Sequence, residues 1–146
     1  MTEIKIVKNN YDKFEETLGS NLHKFNKENC KYINEHSDNE HNNKMIVNFS
    51  IYDKGELIGG ASGWIQYQWY FLDQLWINER YRKQRIGSKV INKIEKVSKE
   101  NQCIGIRTET WSFQAKGFYE KNGFEVFAEL NDCPPGVIEY FLKKYL

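Results

Sequence analysis

"FLDQLWINERYRKQRIGSKVINKIEKV", Phe71 to Val97, decides the fold, because the hydrophobic period changes inside it. Strand-forming residues run from Tyr70 to Ile77. From Ile86 the apolar residues Ile86, Val90, Ile91, Ile94 and Val97 recur at spacings of four, one, three and three, the stripe of an amphipathic helix. Lys89, Lys93 and Lys96 line its polar face. Downstream, "CIGIRTET" (Cys103–Thr110) returns to a strand pattern. Strand, basic loop, helix and strand in succession make a crossover connection, so the two strands run parallel.

Working outward, Met45–Tyr52 alternates apolar and polar residues, Asp53-Lys54-Gly55 reads as a turn, and strand residues resume over Leu57–Tyr67, an antiparallel meander. Earlier still, "EIKIV" (Glu3–Val7) predicts a short strand. Tyr11–Ile33 has broken helical periodicity, with Phe14, Leu18, Leu22 and Phe25 on one side and Gly19-Ser20 as the candidate break. Beyond Thr110, "SFQAKGFYEKN" (Ser112–Asn122) predicts a helix stopped by Gly123. "FEVFAEL" (Phe124–Leu130) and "VIEYFLKKYL" (Val137–Leu146) predict two more strands. The expected fold is mixed α/β (α+β): one domain over residues 1–146, a central, mostly antiparallel sheet with one parallel strand pair, and helices on both faces.

A chain of 146 residues suits one domain with a substantial core, and 40% hydrophobic with 15% aromatic residues predicts a folded chain. The net charge of +1 gives no bulk electrostatic argument for nucleic acid or a membrane surface. Cys30, Cys103 and Cys133 form no CxxC pair, which favours a reducing compartment. The N-terminus lacks the apolar run of a signal peptide, and no stretch reaches the roughly 20 apolar residues of a membrane span. A soluble, cytoplasmic protein is expected. Asn34–Lys44 reads as a surface loop. Its His36 and His41 lack the further ligands that a metal site needs.

The loop "YRKQRIGSK" (Tyr81–Lys89) sets four cationic side chains around Gly87, and Glu79–Lys99 carries eight Lys/Arg against two Glu. Between a strand and a helix, free backbone N–H groups and the positive helix end point the same way, which suits a phosphate. Gly87 lets a ligand approach the backbone without a Cβ between. The alternative reading is a solvated basic corner. The loop is neither a GK[ST]-type P-loop nor a GxGxxG turn.

This loop resembles motif A of the GNAT family of N-acetyltransferases, Gln/Arg-x-x-Gly-x-Gly/Ala, with Arg82 first, Arg85 fourth and Gly87 sixth. Arg85 departs from the family's glycine. "SFQAKGFYEKNGFEVF" (Ser112–Phe127) is similar to the later family motif, Asn-x-x-Ala-x-x-Leu/Phe-Tyr followed by Gly-Phe. Ser112 takes the asparagine position, followed by Ala115, Phe118-Tyr119 and Gly123-Phe124. The tail resembles a bacterial branch of small members, some of which acetylate antibiotics.

The resemblance implies transfer of an acetyl group from acetyl-CoA to an amine of a small molecule or peptide. It implies that Leu75, Trp76 and Ile77 present backbone groups to the pantetheine arm. Arg82, Lys83, Gln84, Arg85, Ile86, Gly87, Ser88 and Lys89 would hold the pyrophosphate, mostly through N–H groups. Ser112 and Phe118 would adjoin the cofactor, and Tyr119 would be the general acid. A phenol of pKa about 10 matches a departing thiolate. Asp73 and Glu109 are candidate bases or ligands for a cationic substrate. Arg85 is expected to keep an ordinary φ/ψ, with its side chain turned outward. In "GWIQYQWYF" (Gly63–Phe71) most aromatics are expected in the core, with one or two on a substrate wall. Cys103 reads as core rather than as a covalent acetyl carrier. The competing classes are a non-catalytic acyl-CoA-binding sensor and a nucleic-acid-binding domain, the latter opposed by neutral charge. The expected partners are acetyl-CoA and the amine, with neither nucleic acid nor membrane, and the sequence leaves a homodimer open.

Overall fold

The computed structural model describes residues 2–6, 11–37 and 44–146, the first two positions of the opening helix by backbone alone. The chain falls into two compact units, Met1–Asn43 and Lys44–Leu146.

In the first unit, helix α1 spans Tyr11–Asn29 and α2 spans Lys31–His36. The break expected at Gly19-Ser20 does not occur. One interior glycine costs about 1 kcal/mol against alanine, which is too little to divide a 19-residue helix. The chain breaks instead at Cys30, which is extended (φ −130°, ψ 111°). The strand expected over Glu3–Val7 is not formed by residues 3–6, and Val7 lies outside the described residues. A strand needs a ladder partner for its N–H and C=O groups, and no described pairing supplies one. The loop expected from Asn34 begins later, because Asn34–His36 complete α2. His36 stacks on Tyr32 with ring centroids 4.3 Å apart, and His41 lies outside the described residues. Among the described residues no helix is long and apolar enough to cross a membrane.

The second unit is a seven-stranded sheet: β1 (Met45–Ile46), β2 (Phe49–Asp53), β3 (Glu56–Gln66), β4 (Trp69–Ile77), β5 (Gly105–Trp111), β6 (Glu125–Asn131) and β7 (Ile138–Tyr145). The order is β1-β3-β4-β5-β7-β6, and β2 also pairs with β3. Only β4 and β5 run parallel, as the crossover predicts. The single strand expected over Met45–Tyr52 is divided at Val47-Asn48. There the Tyr70 hydroxyl donates to the Val47 carbonyl (2.8 Å) and the Asn48 amide oxygen accepts from the Gly63 N–H (3.1 Å). Lys54 and Gly55 both have positive φ (48° and 85°), the geometry of a two-residue hairpin turn.

Helix α3 (Ile86–Glu100) crosses from β4 to β5. Its stripe buries Val90, Ile91 and Ile94 in one cluster with Tyr70 and Leu72 of β4, Ile106 of β5 and Leu142 of β7. Each such aliphatic side chain contributes about 1.5–3 kcal/mol when fully buried. Helix α4 (Lys116–Lys121) adds Tyr119 to the same cluster, with Phe124 beyond it. This helix is shorter than Ser112–Asn122, because side-chain bonds hold Thr110–Ala115 in a turn. Gly123 ends it with φ +85°. Lys144 of β7 fastens the two helices, its ammonium meeting the Glu95 carboxylate of α3 and donating to the Asn122 carbonyl after α4 (2.8 Å).

Candidate active site

The parallel pair is zipped from Trp69↔Gly105 to Leu72↔Thr108 and no further, although β4 runs on to Ile77 and β5 to Trp111. The cause lies in the outer neighbours. On β3, Gly63 pairs with Leu72 and Ser62 with Gln74, so Asp73 is an extra residue and β4 bends there. β5 stays in register with β7 along its whole length, from Gly105↔Tyr145 to Trp111↔Glu139. β4 therefore follows β3 and β5 follows β7, and a gap opens between them. At its apex the Thr108 hydroxyl donates to the Leu72 carbonyl (3.0 Å). Leu75, Trp76 and Ile77 lie on the open edge, although the Ile77 carbonyl is already taken by Arg82 Nε (2.9 Å).

The basic loop leaves β4 through a single 3-10 turn, Glu79–Tyr81, capped by the Asn78 side chain accepting from the Arg80 N–H (3.1 Å). Two expected phosphate ligands serve the loop itself. Arg82 binds Ile77, and the Gln84 amide donates to the Arg80 carbonyl (3.2 Å). Lys83 and Arg85 are exposed, and both adopt φ +60°. The ordinary φ/ψ expected of Arg85 is thus wrong: it is the left-handed N-cap of α3 (φ 60°, ψ 14°), with no side-chain capping bond. An L-residue there costs roughly 1–2 kcal/mol, a conformation that glycine adopts at no such cost. The outward side chain agrees with expectation. The first helical bond is Lys89 N–H to Arg85 C=O (3.0 Å), so the N–H groups of Ile86, Gly87 and Ser88 have no helical acceptor. They form a first turn with the positive helix end behind it.

Gly87 makes its room in another direction than expected. A Cβ added there would lie 3.0 Å from the Phe118 ring. The glycine brings the start of α3 against α4. Phe118 is half-buried and meets Tyr119 edge-to-face at 5.2 Å, and Tyr119 meets Phe124 the same way at 5.4 Å. Tyr119 is only 6% exposed. Burial pushes its phenol up, and a hydrogen-bond contact with Thr108 opposes the rise. The turn before α4 is built by Gln114, whose Oε1 accepts from the Trp111 N–H (2.9 Å) and the Thr110 hydroxyl (3.3 Å). The Ser112 hydroxyl accepts from the Ile138 N–H (3.2 Å), while the Ser112 N–H donates to the Ile138 carbonyl (2.8 Å). Ser112 thus joins β5 to β7.

Alternate residues of β5 face opposite sides of the sheet. Ile106, Thr108 and Thr110 are buried on the side of α3 and α4, whereas Arg107, Glu109 and Trp111 are exposed on the other. The candidate acid Tyr119 and the candidate base Glu109 therefore occupy opposite faces, with the gap between. Partial burial raises the Glu109 pKa even though the side chain still meets solvent. The Glu139 charge and a hydrogen bond to its carboxyl raise it further, Asp73 adds to the rise, and Arg107 opposes it. Asp73 is exposed on the bulge. Beside this group, Arg107 lies over Phe71 (4.4 Å), which stacks on Trp64 (5.3 Å), while Lys44 covers Trp64 (4.4 Å). Tyr70 alone of the aromatic run is fully buried in the core. Cys103 is buried, as expected. Thr108 and Glu139 were not legible as site residues. Thr108 reads as one of the inward residues of a strand, and the register that brings Glu139 beside Glu109 comes from a strand that closes the chain.

The model of the Acetyltransferase (GNAT) family matches residues 10–124. A blasticidin-S acetyltransferase of Streptomyces morookaense is 38% identical over 104 residues, 70% of this chain and 76% of that one. Among solved structures, an acetyltransferase from Bacillus cereus superposes with TM-score 0.75 at 26% identity, covering 97% of this chain and 98% of the other. The PaiA N-acetyltransferase of Thermoplasma acidophilum, solved with coenzyme A, has TM-score 0.61 at 22% identity, over 70% of this chain and 62% of its own.

Proposed function

The chain belongs to the acetyltransferase (GNAT) family and is an acetyl-CoA-dependent N-acetyltransferase; we propose that its acceptor is a small cationic amine of the antibiotic kind and that transfer takes place in the β4–β5 gap. The observation that carries this reading is the gap itself. It opens after Leu72/Thr108, with the start of α3 at the end of the connecting loop and Tyr119 in the buried cluster that includes Leu72 and Ile106.

The N–H groups of Ile86, Gly87 and Ser88 receive the cofactor's pyrophosphate at the helix end, and the exposed Lys83, Arg85 and Lys89 add positive charge. Arg82 and Gln84 shape the loop. The open edge of β4 over Gln74–Ile77 offers backbone groups to the pantetheine arm. Phe118 holds the start of α3 beside Tyr119, and Ser112 positions the end of β5. Glu109, poised by Glu139, takes the proton of the attacking amine, and Tyr119 protonates the departing thiolate. Asp73, Glu109 and Glu139 favour a cationic acceptor, in keeping with the antibiotic named for the 38% identical relative. We take residues 1–146 as one functional domain, since the family match crosses the boundary between the two units. We infer a cytoplasmic setting from three free thiols.

The test is thiol release from acetyl-CoA with a panel of cationic amines, among them aminoacyl nucleosides and aminoglycosides. The reading expects turnover with at least one, and its loss in Tyr119→Phe. Tight coenzyme A binding without thiol release on the whole panel would favour the non-catalytic sensor.

A further inference from the structure

The sheet face that carries Glu109 is divided by charge. One row of cross-strand neighbours runs Trp64, Phe71, Arg107 and Lys143, from β3 through β4 and β5 to β7. Its two rings stack on each other (5.3 Å), with Lys44 over Trp64 (4.4 Å) and Arg107 over Phe71 (4.4 Å). Lys44 leads into β1 on one side of the pair and Arg107 belongs to β5 on the other. The aromatic wall is thus capped at both ends by the protein's own cations. It presents positive charge to a ligand, and not bare ring faces for a cationic one. Lys143 is paired with Glu125 (3.6 Å). Arg107 is exposed and forms no ion pair among the described residues. Toward the open end of the sheet the charge reverses. Glu109 follows two residues along β5 on the same side, and Glu139 shares its side of β7 with Lys143.

We propose that Arg107 determines specificity by receiving a carboxylate of the acceptor, so that the acceptor is dipolar, with its amine at Glu109 and its carboxylate at Arg107. The proposal rests on the transfer reading above and narrows its acceptor. Residues two apart on a strand stand roughly 7 Å apart on one face, which sets the order of the separation between the two groups. A guanidinium over a ring keeps N–H groups at its rim, and these meet a carboxylate with two parallel hydrogen bonds. Phe71 already holds the arginine, so less side-chain freedom is lost when the acceptor binds. The cofactor's phosphates do not compete for it. They belong at the start of α3, whereas Arg107 points to the other side of the sheet from Ile106 and the α3 core. A polycation would set one ammonium at the carboxylates and bring another toward Arg107, where like charges repel.

The experiment measures kcat and KM for the parent enzyme and Arg107→Gln with three kinds of acceptor: aminoacyl nucleosides bearing a free carboxylate, their methyl esters, and carboxyl-free aminoglycosides. The parent should show a KM for the free acid about tenfold or more below that for the ester, the size of a charge-assisted hydrogen bond. Arg107→Gln should raise the KM for the acid by about the same factor and leave the ester within about twofold, with kcat and the KM for acetyl-CoA nearly unchanged. Arg107→Lys keeps the charge without the fork and should fall between. If Arg107→Gln does not fold, the lysine variant is read on the same acid-to-ester ratio. Equal losses on acid and ester would mean that Arg107 acts through Phe71 or Glu109, and that result overturns the proposal. So does a parent enzyme that uses the ester or the aminoglycosides as well as the acid. The levels separate cleanly: coenzyme A binding with no amine turned over defeats the transfer reading and this inference with it, whereas turnover without a carboxylate preference defeats this inference alone.

Discussion

The two halves of the β4–β5 pair are built from similar residues and behave differently. From Trp69/Gly105 to Leu72/Thr108 the strands are zipped and sit over the α3 core. From Asp73 and Glu109 onward they part. Strand propensity does not separate the halves, since Leu75, Trp76 and Ile77 are as strand-like as Tyr70, Phe71 and Leu72. One extra residue on β4 does, because it lets β4 follow β3 while β7 keeps β5. The zipped half supplies stability, and the open half leaves backbone groups and two differently buried acid–base candidates for chemistry.

The largest effect should come from emptying the closed face of its acid. Tyr119→Phe is expected to lower kcat by about 10²-fold or more, within the usual range for a general acid, with coenzyme A affinity nearly unchanged. Next is the exposed face. Glu109→Gln should lower kcat/KM by about tenfold or more. In the parent enzyme the acid limb of the rate profile should lie above the ordinary carboxylate range, because the Glu109 pKa is raised. The linkage sign follows. A carboxyl raised on folding contributes stability that is fully present below its unfolded pKa and is lost as pH rises through the folded one. Glu109→Gln should therefore flatten the stability–pH curve in that window, as thermal melts at stepped pH would show.

The zipped half can be loosened from outside. Glu95→Gln weakens the contact with Lys144 that ties α3 to β7. The pair is largely buried, and breaking it should cost about 1–3 kcal/mol, read as a lower denaturation midpoint with kcat per folded molecule retained. The smallest effect is on the loop. Arg85→Gly relieves a left-handed arginine but frees the unfolded chain, so stability should rise by at most about 1 kcal/mol. Coenzyme A affinity should hold or fall slightly through the lost charge. A severalfold tightening would show that the arginine obstructs the cofactor.

Much of this architecture was legible. The period change at Ile86 marks the crossover, and the crossover marks the parallel pair. The Phe118-Tyr119 and Gly123-Phe124 spacing marks the acid helix. Five features were not legible, and those that belong to the sheet depend on a distant partner. The strand expected at Glu3–Val7 has no described ladder over residues 3–6. Gly19 looks like a break but sits inside a continuous helix. Arg85 is not a residue whose type announces φ +60°. Glu139 enters the site only through the β5–β7 register, which pairs it with Trp111. The bulge at Asp73 likewise arises from pairing with β3, and a lone aspartate in a strand carries no mark of it.

The central claim is that the open half, and not the zipped half, receives acetyl-CoA. Amide hydrogen exchange with and without coenzyme A tests it directly. The account predicts new protection at Gln74–Ile77 and at Ile86–Lys89, with Trp69–Leu72 unchanged. Protection confined to other segments, with these two unaffected at saturating coenzyme A, would contradict it.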